Sequence, residues 1–305
     1  MQYDYKPYEE RKVSTQYRSL LDEIVKYGED NPSRMVDGNT GEPLYTREVH
    51  GAMFKFNILE DGAPIITERD ISGFYKAALG EIFAFVNGAR TEKELREFGC
   101  KFWAPWVTEK KCAKRGLEKG DLGPGSYGPT WAAFPTADGG SYNQWYEIDQ
   151  QMRENPELKT HRIVNWIPQY IIRNSNHQQK VVVCPCHGDV HFNIIGDRLD
   201  MTMVQRSCDV ILGLPSNWAE YSALLIAMAH THNLKPGVFC HFISNAHIYS
   251  NSLEYADVML NREPRPFPTL KMVNTHDRVW DYRKEDFELE DYHPHPKILK
   301  IPVGV

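Results

Sequence analysis

The chain reads as a single α+β domain, residues 1–305. Three observations carry that reading. Strand-like and helix-like stretches are mixed without the regular βαβ alternation of a parallel sheet. No internal repeat and no low-complexity linker divides the 305 residues. The length suffices to bury a large core, and 41% apolar with 25% charged residues is the balance of an ordinary globular protein.

Residues 1–30 predict a helix, because Tyr17, Leu20, Leu21, Ile24 and Val25 recur at helical spacing with charges on the other face. Residues 31–48 (NPSRMVDGNTGEPLYTRE) are rich in Pro, Gly and Asn and predict a loop. Together they form a divergent N-terminal part, 1–48. HGAMFKFNILEDGAPIIT predicts two short strands around Glu60-Asp61-Gly62. Residues 71–99 carry a strong helical pattern, with Phe74, Ala78, Ile82, Phe85 and Val86 on one stripe. Glu81 lies inside that apolar helix. A buried carboxylate is costly unless it has a partner or a task.

The next span is turn-rich and holds Trp103, Trp106 and Trp131. So many aromatics in a loop suggest a wall for a flat ligand, with plain loop packing as the other reading. Its GDLGPGSYG lacks the GK[ST] ending of a nucleotide-triphosphate loop. Residues 142–154 predict a helix, LKTHRIVNWIPQYII a strand that turns irregular, and RNSNHQQK a polar turn.

The stretch 181–221 organises the chain. An apolar, β-branched run predicts a strand that delivers Cys186 beside His187. A second strand-like run delivers Arg206 and Ser207, and a Gly-Leu-Pro turn sets Asn217 at the mouth of a helix. That helix runs to about His232 with Trp218, Tyr221, Leu224, Leu225 and Met228 on one face, and NLKPG stops it. GVFCHFISNAHIYSN predicts a strand entering a turn, and LEYADVMLNRE a helix halted by PRPFP. The tail alternates short strands (TLKMVNT, DFELEDY) with a Pro-rich end.

Composition excludes several function classes. A net charge of −6 argues against a binder of nucleic-acid backbones. No apolar run approaches the roughly 20 residues of a membrane span. The start, MQYDYKPYEERK, has no apolar core of a secretory signal. Six sparse, irregular cysteines predict no disulfide framework and a cytoplasmic setting. Cys184 and Cys186 form a CxC without a second pair at zinc spacing, so no metal is expected.

A lone cysteine is commonly a small buried hydrophobe. Cys186 differs in following a ladder-breaking proline, in preceding His187, and in having a fixed cation, Arg206, at the end of the next strand, where it can favour the thiolate. Asn217 offers a donor and an acceptor in one plane, which suits uracil N3–H and O4, whereas an Asp there would lean toward cytosine. Arg206 with Ser207 suits a phosphate. His247 and Tyr249 can reach a sugar hydroxyl.

Taken jointly, PCH, QRSCDVILGLPSN, AHIYSN and REPRPFP, with the tail DYRKEDFELEDYHPHPKILKIPV, resemble the thymidylate synthase family. The family's nucleophile precedes its phosphate arginine by the spacing that separates Cys186 from Arg206. GEIFAFV, KFWAPW and GDLGPGSYG resemble its folate-side segments, so the likeness covers roughly 50–305. The resemblance implies a mixed sheet with helices on one side and a sheet-to-sheet homodimer. It implies a transferase of nucleotide biosynthesis, with a pyrimidine nucleotide monophosphate and 5,10-methylenetetrahydrofolate as substrates and no metal, membrane or nucleic acid. Cys186 would add to C6 of the base. Glu81 and His187, with Tyr127 nearby, would hold the water network that takes the C5 proton. Asn217 would orient the ring, Arg206 and Ser207 the phosphate, His247 and Tyr249 the 3′-hydroxyl. Lys159 and Arg162 would reach the partner's phosphate site. Trp103, Trp106, Asp209 and Gly213 with Glu81 would form the folate side, and Val305 would close over the ligands.

Several positions depart from the family pattern. Lys159-Thr160 stands where two arginines are usual. DGNTGEPLYTRE offers only Arg34 and Arg47 for the early phosphate arginine, Gly188, Asp189, Val190 and His191 follow the nucleophile, and WAAF lacks the usual arginine. The first expectation is a methyltransferase making dTMP from dUMP. The alternative is a 5-hydroxymethyltransferase acting on dUMP, dCMP or CMP, in which water replaces hydride. A third is an inactive nucleotide-binding relative.

Overall fold

A six-stranded mixed sheet forms the frame, and helices cover one of its faces; the computed structural model describes residues 3–304. Residues 3–15 are an irregular strap with one 3-10 turn, Tyr8–Glu10. They carry no apolar periodicity, and Arg11 ties them down by donating to Lys6 O, Phe267 O and Thr269 Oγ1. The expected helix is therefore confined to α1 (Gln16–Tyr27), which buries Tyr17, Leu20, Leu21 and Ile24.

The expected loop at 31–48 is a hairpin of β1 (Glu29–Val36) and β2 (Pro43–Asn57). β1 is an edge strand, so polar residues and Pro32 cost it little. Only the tip bends, where Asp37 Oδ1 accepts from the amides of Asn39 and Thr40. β2 ends in a single turn, α2 (Ile58–Asp61). The second strand expected after it is absent, because Ala63 bonds Pro268 O instead of a ladder partner.

α3 (Tyr75–Val86) buries ten of its twelve residues, so it is a core helix rather than one with a single apolar stripe. Short pieces follow: α4 (Glu92–Glu97), α5 (Glu109–Ala113), α6 (Tyr127–Ala132), and the small hairpin β3 (Phe134–Pro135) and β4 (Ser141–Tyr142). Asn143 caps α7 (Gln144–Glu154), and β5 (Arg162–Ile163) and α8 (Pro168–Ile171) come next.

The run 181–187 forms no strand, contrary to its composition. Val182 N–H donates to Leu122 O, and Gly125 N–H donates to Lys180 O, so the run docks on the GDLGP loop. Pro185 has no N–H to extend a ladder. Pairing begins only with β6 (Asp189–Ile195), antiparallel to β7 (Arg198–Asp209). β7 crosses through α9 (Gly213–Thr231) to its parallel neighbour β8 (Lys235–Tyr249). α10 (Leu253–Leu260) and the pair β9 (Thr269–Met272) and β10 (Phe287–Glu290) complete the chain. The order is β1-β2-β8-β7-β6-β5.

α9 lies between the sheet and α3 and buries sixteen of its 19 residues, on every side rather than on one face. The inner sheet face presents Met201, Met203 and Gln205 of β7 and Phe239, His241 and Ile243 of β8, all buried. The outer face carries a cross-strand row of exposed apolar residues, Met53, Phe242 and Val204.

Candidate active site

The ends of β7, β8 and α9 and the irregular 181–188 segment converge on one place. Arg206 sits near the end of β7 and folds back onto that segment. Its Nε donates to Pro185 O at 2.8 Å and its Nη2 to Cys184 O at 2.9 Å. Nη2 also lies 3.5 Å from Cys186 Sγ. The cation thus shapes the loop that carries the thiol and touches the sulfur. Nη1 has no partner among the described residues, leaving one face of the fork for an anion.

Cys186 is half-buried, and its amide donates to Tyr127 Oη at 2.7 Å. Tyr127 is positioned by stacking on Phe85 of α3, with ring centroids 4.6 Å apart. Burial, then the neighbouring Cys186, pushes its phenol well above the ordinary value, so its hydroxyl stays protonated. His187 lies 4.6 Å from the Tyr127 ring and meets Tyr221 Oη at 2.8 Å through Nδ1. Burial, and then Arg206, lower its pKa to about 3, so His187 is neutral.

Glu81 projects from α3 toward α9. It accepts from the Trp103 indole and bonds the Glu220 carboxyl. Desolvation raises its pKa, against the lowering effect of those two bonds. The buried Glu81 of the sequence thus has partners. Asn217, one turn into α9, accepts from Gln205 at 3.1 Å and donates to Glu220 at 3.2 Å.

Ser207 and Asp209 follow Arg206 on β7, and Asp209 stands beside His247 in the parallel register. Asp209 Oδ1 accepts from the amides of Ile211 and Leu212, fixing the turn into α9. Burial raises its carboxyl and His247 opposes that; burial lowers His247 and Asp209 opposes that. Tyr249 packs edge-on against His247 at 5.1 Å. Gly213 opens α9, and a Cβ there would enter the space between Asp209 (3.7 Å) and Asn217 (4.0 Å). Trp103 is nearly buried; Trp106 is half-buried with the Lys111 ammonium 4.9 Å above its ring. Trp131 is not part of any wall: it is fully buried and donates to Gly188 O.

Other expected residues lie apart. Lys159 and Arg162 are exposed at the β5 edge, two strands from β7, and neither meets Arg206. Arg47 forms a two-pronged pair with Asp30 on the surface, and Arg34 is exposed on β1. Val305 lies outside the described residues. The chain just before it does approach the site: Val303 O accepts from Gly38, Gly304 bridges to Asp37, and the Gly304 Cβ position is 3.5 Å from the Tyr249 ring.

Gln205, Glu220, Tyr221 and His241 were missed in the sequence. One signal pointed to Glu220, a carboxylate within the uninterrupted apolar run of α9. Gly188 has its own explanation. It takes φ of 109°, and a Cβ would collide with the Asn165 amide and lie 3.0 Å from Trp131. The unusual glycine two residues after Cys186 is therefore a packing solution. Among the described residues no cluster of His, Cys, Asp or Glu could hold a metal, and no helix is long and apolar enough to cross a membrane. A family model described as thymidylate synthase matches residues 15–305.

Proposed function

The chain belongs to the thymidylate synthase family, and from that premise we propose that it methylates dUMP to dTMP. The family's chemistry is one-carbon transfer to C5 of a pyrimidine nucleotide, with methylenetetrahydrofolate as co-substrate. The observation that carries the finer reading is the Cys186 thiol held against Arg206, with the Asn217 carboxamide fixed in orientation by Gln205 and Glu220.

Trp103, Trp106, Asp209, Gly213 and Glu81 would hold the folate. When bound it supplies the one-carbon unit and, for methylation, a hydride. The chain's own residues do the rest. Cys186 as thiolate adds to C6, which makes C5 nucleophilic. Arg206, with Nη2 3.5 Å from the sulfur, binds phosphate through its open side with Ser207. Neutral His187 and the protonated Tyr127 can exchange protons with water without carrying charge. Glu81 as carboxylate takes the proton released from C5. Asn217 reads N3–H and O4, and His247 and Tyr249 bind the 3′-hydroxyl.

The whole of 1–305 is read as one catalytic domain, acting in the cytoplasm. The exposed row Met53, Phe242 and Val204 supports a homodimer closed through the outer sheet face, in which Lys159 and Arg162 of one copy complete the other's phosphate site. Val204→Glu places a charge in that row and is expected to give monomers by sedimentation velocity, with nucleotide affinity down at least about tenfold for each charged hydrogen bond lost. A dimeric Val204→Glu protein of full affinity would refute this arrangement.

The second reading is hydroxymethylation, in which water takes the place of hydride; the extra buried acid beside Glu81 favours it. One assay separates the readings. With dUMP and methylenetetrahydrofolate, loss of the C5 hydrogen together with dihydrofolate absorbance means methylation. Hydrogen loss without dihydrofolate means hydroxymethylation. Neither signal, with dUMP, dCMP or their ribo-forms, would falsify the enzymatic reading.

A further inference from the structure

Glu220 is fully buried on α9, and its surroundings fix where its proton lies. Trp218 sets the direction of the contacts, because its indole N–H can only donate. It meets His241 Nδ1 at 2.9 Å. His241 is therefore the Nε2–H tautomer, and burial, followed by His187, keeps it neutral by lowering its pKa to about 3. Nε2–H donates to Gln205 Oε1 at 3.0 Å. That orients the Gln205 amide, whose Nε2 donates to Ser207 O at 3.0 Å and to Asn217 Oδ1 at 3.1 Å. Asn217 must then turn Nδ2 toward Glu220, and it donates to Oε2 at 3.2 Å.

Glu220 Oε2 is thus an acceptor. Oε1 has no donor among the described residues, yet the carboxyl bonds that of Glu81. Two carboxylates cannot share a hydrogen bond without a proton between them. Glu81 already accepts from the Trp103 indole. Every link from Trp218 to Glu220 therefore points the same way, and the contact between the two carboxyls requires an O–H on one of them; Glu220, at 0% exposure against 7% for Glu81, is the one whose ionised form burial disfavours more.

We propose that Glu220 is a positioning residue, a neutral carboxylic acid whose Oε1–H holds Glu81 as the carboxylate while its Oε2 holds Asn217 in the orientation that reads uracil. With Gln205 and Glu220 occupying one acceptor and one donor position, the Asn217 amide has one acceptor and one donor left. That edge matches N3–H and O4; a flipped amide would match cytosine. A chain of hydrogen bonds running one way also polarises its members in the same direction.

The groups facing the pair do not supply an alternative proton account. Cys100, from the loop after α4, Tyr127 from α6 and Tyr221 from α9 are all kept protonated by burial. Arg206 acts on Tyr127 and His187, while the charges acting on the pair come from the two carboxyls themselves. What Glu81 does in turnover rests on the proposed function; where the proton sits does not.

Two measurements on the full chain test this. Infrared spectra without substrate are expected to show a protonated carboxyl band at pH 7 in the wild type that Glu220→Gln lacks. The introduced glutamine amide can repeat both contacts, its oxygen accepting from Asn217 and its nitrogen donating to Glu81. Glu220→Leu can make neither. In wild-type C5-hydrogen release, the acid limb reports Glu81. Glu220→Leu is expected to move that limb up by about one pH unit or more and to cut the uracil-over-cytosine preference at least about tenfold. Glu220→Gln is expected to restore the limb and the preference. Absence of the band difference overturns the proposal, as does a Gln variant that behaves like the Leu variant, or a Leu variant with an unmoved limb and preference. Should the Leu variant not fold, the band and the Gln variant decide. A wild type that releases no C5 hydrogen refutes the functional reading alone, because the band is read without turnover.

Discussion

Replacing Cys186 by alanine is expected to lower turnover by about 10⁴-fold or more, the scale of losing a covalent nucleophile, and to leave nucleotide binding nearly intact. The two effects separate because of how Arg206 is held. Its guanidinium is anchored by Pro185 O and Cys184 O, not by the sulfur, so Arg206 stays in place in the variant. The Cys186 amide keeps its bond to Tyr127, since that bond uses backbone. A half-buried thiol contributes little to stability, so the fold is expected to lose under about 1 kcal/mol. Titration calorimetry with dUMP and tritium release from C5 check the two halves. Residual turnover within tenfold of wild type would show that another group is the nucleophile. Loss of nucleotide binding together with turnover would show that the thiol shapes the phosphate site after all.

Asn217→Asp has the second large expected effect. A site built around hydrogen bonds to a base edge rejects the wrong edge by up to about 10⁴- to 10⁵-fold, and this variant should reverse part of that preference. Its consequence in this chain is sharper than a simple exchange of uracil for cytosine. The new carboxyl would face Glu220 Oε2, which is itself an acceptor. The introduced aspartate must therefore carry a proton there or lose the contact. The expected result is a uracil-to-cytosine shift of about 10²-fold in kcat/KM, accompanied by weaker binding of both nucleotides. An unchanged uracil preference would remove Asn217 from base reading.

The polar residues of the site were legible because their chemistry is local: a thiol after Pro185, an arginine on a strand, a carboxamide after Gly-Leu-Pro. The family match over 15–305 bears out the family resemblance. The scaffold was less legible where context overrides composition. The hairpin β1–β2 looked like a loop because an edge strand tolerates polar residues and proline. The run 181–184 looked like a strand because β-branched residues favour extended backbone, yet its partner is a loop. Periodicity failed in α9 because a helix buried all round has no distinct apolar face. The Gln205–His241 contact was invisible because it depends on two strands meeting in register, whereas Glu220 gave only the signal of a carboxylate in an apolar run.

The sheet order has a consequence for how the chain reaches this state. Thr46 of β2 pairs with Tyr249 of β8, whereas β6 and β7 adjoin in sequence and β8 follows one helix later. Contacts so far apart in sequence carry a high loop-closure cost and form late. The segment from Cys186 to Tyr249, with the thiol, Arg206, Asn217 and His247, can therefore assemble before β2 arrives. Until then the free edge of β8 remains open to pairing with another chain. Self-association of refolding protein should accordingly depend on how fast β2 docks, and nucleotide, by binding the early segment, would act on the slow step only indirectly.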